Sequence, residues 1–315
     1  MTRLILCGAF VVFSLVHASA ASPGPIQTVF LILMENTDWA EIKGHPQAPY
    51  INTQLLPRAS HAEQYYSPGV SPSLPNYLWL EAGDVFGITD DAPPRIHHQR
   101  TTAHLVTRLA QAGLSWTSYQ EDISGTECPL TATGLYRPKH NPMVYFDDVT
   151  DANNPRSPAC IAHVRPYHEL AVDLAHNTVA HYNFITPNLC HDMHDCDLRS
   201  GDTWLAQEVP KILASQAYQT GGALFITWDE GSPGLFSLWR RRGRPIGMIV
   251  LSPYAKGHGY ANTIPYTHSS TLRTIQRILG VMPFLGDAVH ATDLSDLFAI
   301  ALPATEPAPQ RSRDP

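Results

Sequence analysis

The sequence predicts an α/β fold: a single domain with a mainly parallel central sheet and helices on both faces. Apolar runs of strand length alternate with helical stretches from end to end, which is the pattern of a parallel sheet wrapped by helices. The chain has no internal repeat and no clear linker, and its length suffices for one large core. Acidic and imidazole residues gather directly after the apolar runs, at the strand ends where such sheets bind ligands.

The elements follow in order. Arg3, the apolar run from Leu4 to Val16 and the small residues Ala18-Ser19-Ala20 form an export-signal pattern. Residues 1–20 are therefore expected to be removed near Ala20, leaving a secreted or periplasmic protein. The run is shorter than the about 20 apolar residues a membrane span requires, so no stable membrane anchor is expected. Thr28 to Met34 is continuously apolar and reads as a buried parallel strand. Ser73 to Glu81 opens a helix, and Thr102 to Ala112 is a second one, ended by Gly113. Ser115 to Gln120 and Ala180 to Ile185 read as strands. Thr203 to Ala217 is amphipathic and helical, Ala223 to Trp228 and Ile246 to Leu251 are buried strands, and Ser269 to Leu279 is a helix closed by Gly280. Residues 84–100 and 122–166, rich in Pro, Asp and Asn, are expected to be long ordered loops. Residues 21–302 form the domain, and 303–315 a Pro-rich disordered tail.

The net charge of −7 argues against a nucleic-acid partner, which calls for a basic patch. It leaves an anionic substrate open, because bound cations reverse the field locally. Beyond the signal, Cys128, Cys160, Cys190 and Cys196 remain, an even number in an exported chain. Cys128–Cys160 and Cys190–Cys196 are the favoured disulfides, since the second pair is close in sequence. A metal site joining Cys190 and Cys196 to His191 and His194 is the rival reading.

Three strand ends carry the chemistry. The first strand runs into Glu35-Asn36, the strand at 223–228 into Asp229-Glu230, and the strand at 180–185 into Asn188, His191, Asp192, His194 and Asp195. Oxygen and nitrogen donors of this kind suit divalent metals. Each group alone is an ordinary cap or solvated loop; their coincidence at one sheet edge points to a metal. Ser73, in Pro72-Ser73-Leu74-Pro75-Asn76-Tyr77, stands where a loop enters a helix. It is either a helix N-cap or a nucleophile beside free backbone N–H groups. Lys139-His140-Asn141-Pro142 offers a cation, an imidazole and an amide for phosphate oxygens. His268 precedes the last helix as a ligand, a leaving-group acid or an ordinary loop histidine.

These segments, together with Asp202-x-Trp204-Leu205 and Tyr266-Thr267-His268-Ser269, occur in an order that resembles the bacterial phosphoesterase family of acid phosphatases and phospholipases C, within the alkaline phosphatase superfamily. The likeness runs from about Val29 to Val281. Ser73-Leu74-Pro75-Asn76 also resembles the Thr-Phe-Pro-Asn segment of nucleotide pyrophosphatases. The resemblance implies that Ser73 is the nucleophile and that Glu35, Asn36, Asp229 and Glu230 hold a metal with the Ser73 oxygen. It implies that Asn76 binds the phosphoryl group, with Lys139, His140 and Asn141 beside it. Asp192, His194 and His268 form the opposite side, as a second metal site or as the leaving-group acid. The superfamily's Asp-x-x-x-His pair appears here as Asn188-x-x-x-Asp192, so the count of metal ions is one or two, with zinc, calcium or magnesium possible. The implied activity is a metal-dependent acid phosphatase acting on small-molecule or lipid phosphate monoesters through a phosphoserine. The short chain favours it over the alternative, a phospholipase C or other diesterase; a non-catalytic metal- or ligand-binding protein is the second alternative.

Overall fold

The computed structural model describes residues 24–232 and 243–304; the expected signal at 1–20 and residues 305–315 of the expected tail lie outside them. Ten strands are present among the described residues: β1 (Thr28–Met34), β2 (Ser60–Ala62), β3 (Tyr65–Tyr66), β4 (Trp116–Gln120), β5 (Val164–Pro166), β6 (Tyr182–Thr186), β7 (Gly222–Trp228), β8 (Met248–Leu251), β9 (Tyr260–Asn262) and β10 (Tyr266–Thr267). Eight form one sheet in the order β5-β4-β6-β1-β7-β8-β2-β9, flanked by helices, while β3 and β10 pair separately. All neighbours in the large sheet are parallel except at β8, which runs against both β7 and β2.

The central strands are buried and mostly apolar because both of their faces are covered. Every residue of β7, and all of β1 after Thr28, is buried. Register then fixes the site: Met34 pairs with Trp228, so Glu35 and Asp229 leave the sheet side by side. The Asp229 N–H donates to the Met34 carbonyl at 2.9 Å, and the Glu35 N–H donates to the Asp192 carbonyl at 2.8 Å.

Several expected boundaries shift for local reasons. The helix expected at 102–112 starts only at Leu105, because His104 is extended and its ring is buried between two carboxylates. The helix expected at 203–217 begins at Leu198, where Asp197 caps it, and ends at Ala214. Ser215 is extended there and caps a new helix, Gln216–Gly221. The strand expected from Ile246 starts at Met248; Gly247 has φ +77° and lies against the Trp39 ring, where a Cβ would sit 2.1 Å from a ring carbon. Residues 122–166 are less irregular than expected, holding short helices at Asp147–Thr150 and Pro158–His163 and the edge strand β5. Both favoured disulfides are present, Cys128–Cys160 and Cys190–Cys196, which removes the reading of Cys190 and Cys196 as metal ligands. No helix among the described residues is long and apolar enough to cross a membrane.

One buried cluster bears on stability. His104 stacks on Phe146 and reaches Glu81 through Nδ1 at 2.9 Å and Asp148 through Nε2 at 3.0 Å. Burial opposes its charge, but hydrogen bonds and charges from Asp148 and Glu81 outweigh that and raise its pKa. Burial likewise opposes the Asp148 charge, and His104 outweighs it and lowers that pKa. The raised His104 contributes stability in full below its unfolded pKa and loses it as pH rises through its folded value. The lowered Asp148 contributes above its unfolded pKa and loses it as pH falls through its folded value. Both act together between about pH 4 and about pH 6.5. His104→Gln is therefore expected to lower the melting temperature more at about pH 5 than at about pH 8. A loss independent of pH would mean that His104 contributes only by packing on Phe146.

Candidate functional site

Four adjacent parallel strands, β4, β6, β1 and β7, end at one edge of the sheet. The site is assembled there around Glu35, which has no solvent exposure. Ser73 is the first residue of the helix Ser73–Ala82 and is not its cap; Pro72 holds that position. The Ser73 hydroxyl donates to Glu35 Oε2 at 3.2 Å instead. The Tyr77 hydroxyl donates to Glu35 Oε1 at 2.5 Å, and the Tyr77 ring stacks on His140 at 5.1 Å between centroids. His140 lies between two acids, with Nε2 3.2 Å from Glu35 Oε1 and Nδ1 3.3 Å from Asp192 Oδ2. Lys139 approaches from the same short helical turn. Its ammonium donates to Asp91 Oδ2 at 2.9 Å and lies 3.5 Å from Ser73 Oγ and 3.4 Å from His194 Nε2.

The site is electrostatically frustrated as a protein alone. Burial pushes Glu35 well above the ordinary carboxyl range, and the Asp229 and Asp192 charges push it further. Burial raises Asp192 and Asp229 as well. Glu230, half-buried, is pushed up to about 8 by burial and then by Asp229. His140 is held well below its usual value, by burial first and by the Lys139 charge next, which leaves a neutral imidazole. Buried polar atoms without a hydrogen-bond partner include Asp192 Oδ2, Asp229 Oδ2 and His140 Nε2, and also Asn76 Oδ1. Buried polar groups are nearly always paired, so orphaned lone pairs among crowded acids fit a bound cation. Glu35, His140 and His194 each offer a donor atom within 4.8 Å of the others, a set suited to a divalent metal.

The structure thus brings together Glu35, Ser73, Lys139, His140, Asp192, His194 and Asp229. Asn36 joins through its backbone, whose N–H donates to Asp229 Oδ1 at 3.1 Å; its φ of 49° is a left-handed conformation that asparagine tolerates. Glu230 follows Asp229 at the rim. Three expected residues are placed differently. Asn141 is buried, its amide between the Ser118 and Tyr136 hydroxyls. Asn76 donates its amide protons to the Val70 and Pro72 carbonyls, which fastens the loop that carries Ser73. His268 is fully buried behind Asp229, with Nε2 donating to the Asp229 carbonyl at 2.7 Å and Nδ1 3.0 Å from the Tyr65 hydroxyl. Both ring nitrogens are engaged and burial lowers its pKa to about 4, so it supports the Asp229 backbone instead of reaching a metal or a leaving group. His140 also changes role: a neutral imidazole between two carboxylates is a donor to a metal more than a grip on phosphate.

Sequence reasoning missed Tyr77 and Asp91. Tyr77 was within reach of it, since four residues past Ser73 on a helix falls on the same face. Asp91 carried no signal; it lies in an irregular loop and enters the site only through the fold. Met193 also escaped it. Its φ of 82° is rare for a branched-free apolar residue, and its buried sulfur accepts from the Trp228 indole at 3.4 Å, pinning the loop between Asp192 and His194.

Comparison with known proteins gives three kinds of likeness. The model of the Phosphoesterase family matches residues 48–282. A phosphatidylinositol-3-phosphatase of Mycobacterium tuberculosis is 28% identical over 271 residues, covering 86% of this chain and 82% of that protein. A phosphate-repressible acid phosphatase of Penicillium chrysogenum is 30% identical over 206 residues, covering 64% of this chain and 47% of its own length, so the chain spans about half of that relative. Among solved structures, a protein in the alkaline phosphatase superfamily from Vibrio parahaemolyticus matches with a TM-score of 0.56 over 88% of this chain and 72% of that one. At 10% identity, that likeness concerns the fold alone.

Proposed function

The chain belongs to the phosphoesterase family of phosphoric ester hydrolases, and on that premise we propose that it is an exported, metal-dependent acid phosphatase acting through Ser73. One observation carries the reading: a serine hydroxyl at a helix start hydrogen-bonds a buried carboxylate within a cluster of acids whose lone pairs lack partners. Glu35, Asp192, Asp229 and His140 would hold the cation, with Asn36 and Glu230 at the same strand ends. When bound, the cation would lower the pKa of the Ser73 hydroxyl and offset charge on the phosphoryl group.

The chain's own residues do the rest. Glu35, which the cation would keep ionised, accepts the Ser73 proton through Oε2 as Oγ forms a bond to phosphorus and the bond from phosphorus to the leaving oxygen breaks. Tyr77 holds the other Glu35 oxygen, so the acceptor stays aimed at Ser73. Lys139 neutralises phosphoryl charge beside Oγ. His194, at the more open side with a quarter of its side chain exposed, is the imidazole available to protonate the leaving oxygen. Water then attacks phosphorus, the bond to Oγ breaks, and Ser73 regains a proton. The names of the relatives, two phosphatases acting on a phosphoinositide or on phosphate esters at acid pH, support a monoester substrate. The sequence pattern at residues 1–20 and two disulfides support export.

Nitrophenyl phosphate and bis(nitrophenyl) phosphate, each assayed with and without chelator, test the proposal. Faster monoester hydrolysis, lost to chelator and restored by a divalent cation, is expected. A preference for the diester would turn the reading to a phosphodiesterase, and cation binding without hydrolysis of either ester to a binding protein.

A further inference from the structure

Asp91 stands outside every motif of the site, yet it links three of its parts. Its Oδ1 accepts the Leu74 N–H at 2.9 Å, in the first turn of the helix that Ser73 begins. Its Oδ2 accepts from the Lys139 ammonium at 2.9 Å. That ammonium in turn lies 3.5 Å from Ser73 Oγ. The lysine is thereby registered, through one carboxylate, to the backbone of the residue next to the nucleophile. A four-carbon side chain has no such register by itself. Without Asp91 it has other attractions, because the Lys139 charge is felt at Glu35, Asp192, Asp229 and Glu230.

We propose that Asp91 is the positioning residue that holds the Lys139 ammonium beside the nucleophile and off the site's acids, and that this pair selects phosphate monoesters over diesters. The inference rests on the phosphatase reading above. A group within 3.5 Å of the attacking oxygen is within reach of a non-bridging oxygen of the phosphoryl group it attacks. A monoester presents three such oxygens and two charges; a diester presents two and one, with a second ester group in place of the third. An ammonium fixed at that point gains more from the dianion and crowds the second ester group. A freely swinging ammonium discriminates less and competes with a cation for the carboxylates.

The test uses the full chain with whichever divalent cation supports wild-type turnover. Asp91→Asn keeps an acceptor for the Leu74 N–H and removes the charge that holds Lys139. It is expected to lower kcat/KM for nitrophenyl phosphate by about 10-fold to 100-fold, the scale that misplacing a group near the chemistry produces. Loss on bis(nitrophenyl) phosphate is expected to be much smaller, so the ratio of the two falls. Inorganic phosphate should inhibit the variant less, which reads binding without turnover. Lys139→Met should lower the same ratio, and the double variant should lower it no further. Equal loss on both esters, or an unchanged ratio in Lys139→Met, overturns the inference while the phosphatase reading stands. A wild-type protein inert toward the monoester overturns both. Should Asp91→Asn not fold, Lys139→Met and its phosphate inhibition still decide.

Discussion

Ser73→Ala is expected to lower turnover on the order of 10⁴-fold or more, a loss of roughly 5 kcal/mol of transition-state stabilisation, while leaving the fold intact. The large effect follows from the nucleophile's being irreplaceable in a two-step transfer: among the described residues, the Glu35 carboxylate accepts from one other hydroxyl, that of Tyr77. Tyr77 also donates to Glu35, but burial and the Glu35 charge hold its phenol well above its usual pKa, which makes it a poor substitute. The small structural effect follows from the position. Ser73 begins its helix without capping it, and its hydroxyl donates to an acid that Tyr77 also satisfies and accepts only a long contact from Lys139. Steady-state assay and thermal melting of the same preparation check both halves. Residual turnover within about tenfold of wild type would remove Ser73 from the mechanism.

Glu35→Gln has the second large effect, and it acts in opposite directions on function and stability. The substitution removes the central carboxylate of the cation site. Affinity for the divalent ion, and activity with it, should fall by about 100-fold or more, since even groups that merely support a ligand are worth about 10-fold to 100-fold. Stability of the cation-free protein should rise. Glu35, Asp192 and Asp229 all have folded-state pKa values above the ordinary carboxyl range, by burial and, for Glu35 and Asp192, by mutual repulsion. Such groups bind more protons folded than unfolded, so stability falls as pH rises past the ordinary carboxyl range. The cation-free wild type should therefore melt lower at about pH 7 than at about pH 4.5, and bound cation should reverse the difference by mass action. Gln at position 35 removes one of the three charges and part of that slope. Calorimetric titration with a divalent ion and melting with chelator read the two effects. Unchanged affinity in Glu35→Gln would move the cation away from this cluster.

The strand-end acids were legible because their strands are. Residues 28–34 and 223–228 are apolar without interruption, which marks buried parallel strands, and the acids at their ends then fall on one edge by topology alone. Ser73 was legible as a position but not as a role: the same residues describe an N-cap, and only the geometry shows that Pro72 caps the helix. The two-residue and three-residue strands β2, β3, β5, β9 and β10 are too short to show a period, so both edges of the large sheet and the separate β3–β10 pair could not be read. Asn76, Asn141 and His268 carry neighbours that only the tertiary fold reveals: the Asn76 amide protons meet the Val70 and Pro72 carbonyls, the Asn141 amide meets the Ser118 and Tyr136 hydroxyls, and His268 meets the Asp229 carbonyl and the Tyr65 hydroxyl. Asp91 is the converse, an ordinary loop acid that folding carries to the nucleophile helix.

The central claim is that the phosphoryl group passes through Ser73. Rapid acid quench during turnover of a phosphate monoester, followed by proteolysis and mass analysis, tests it most directly. Phosphate on the peptide containing Ser73, absent from Ser73→Ala and from enzyme without substrate, is the predicted result. Steady turnover with no phosphorylated peptide at any quench time, in an enzyme trapped at acid pH where phosphoserine is stable, would contradict the account and assign the attack to water.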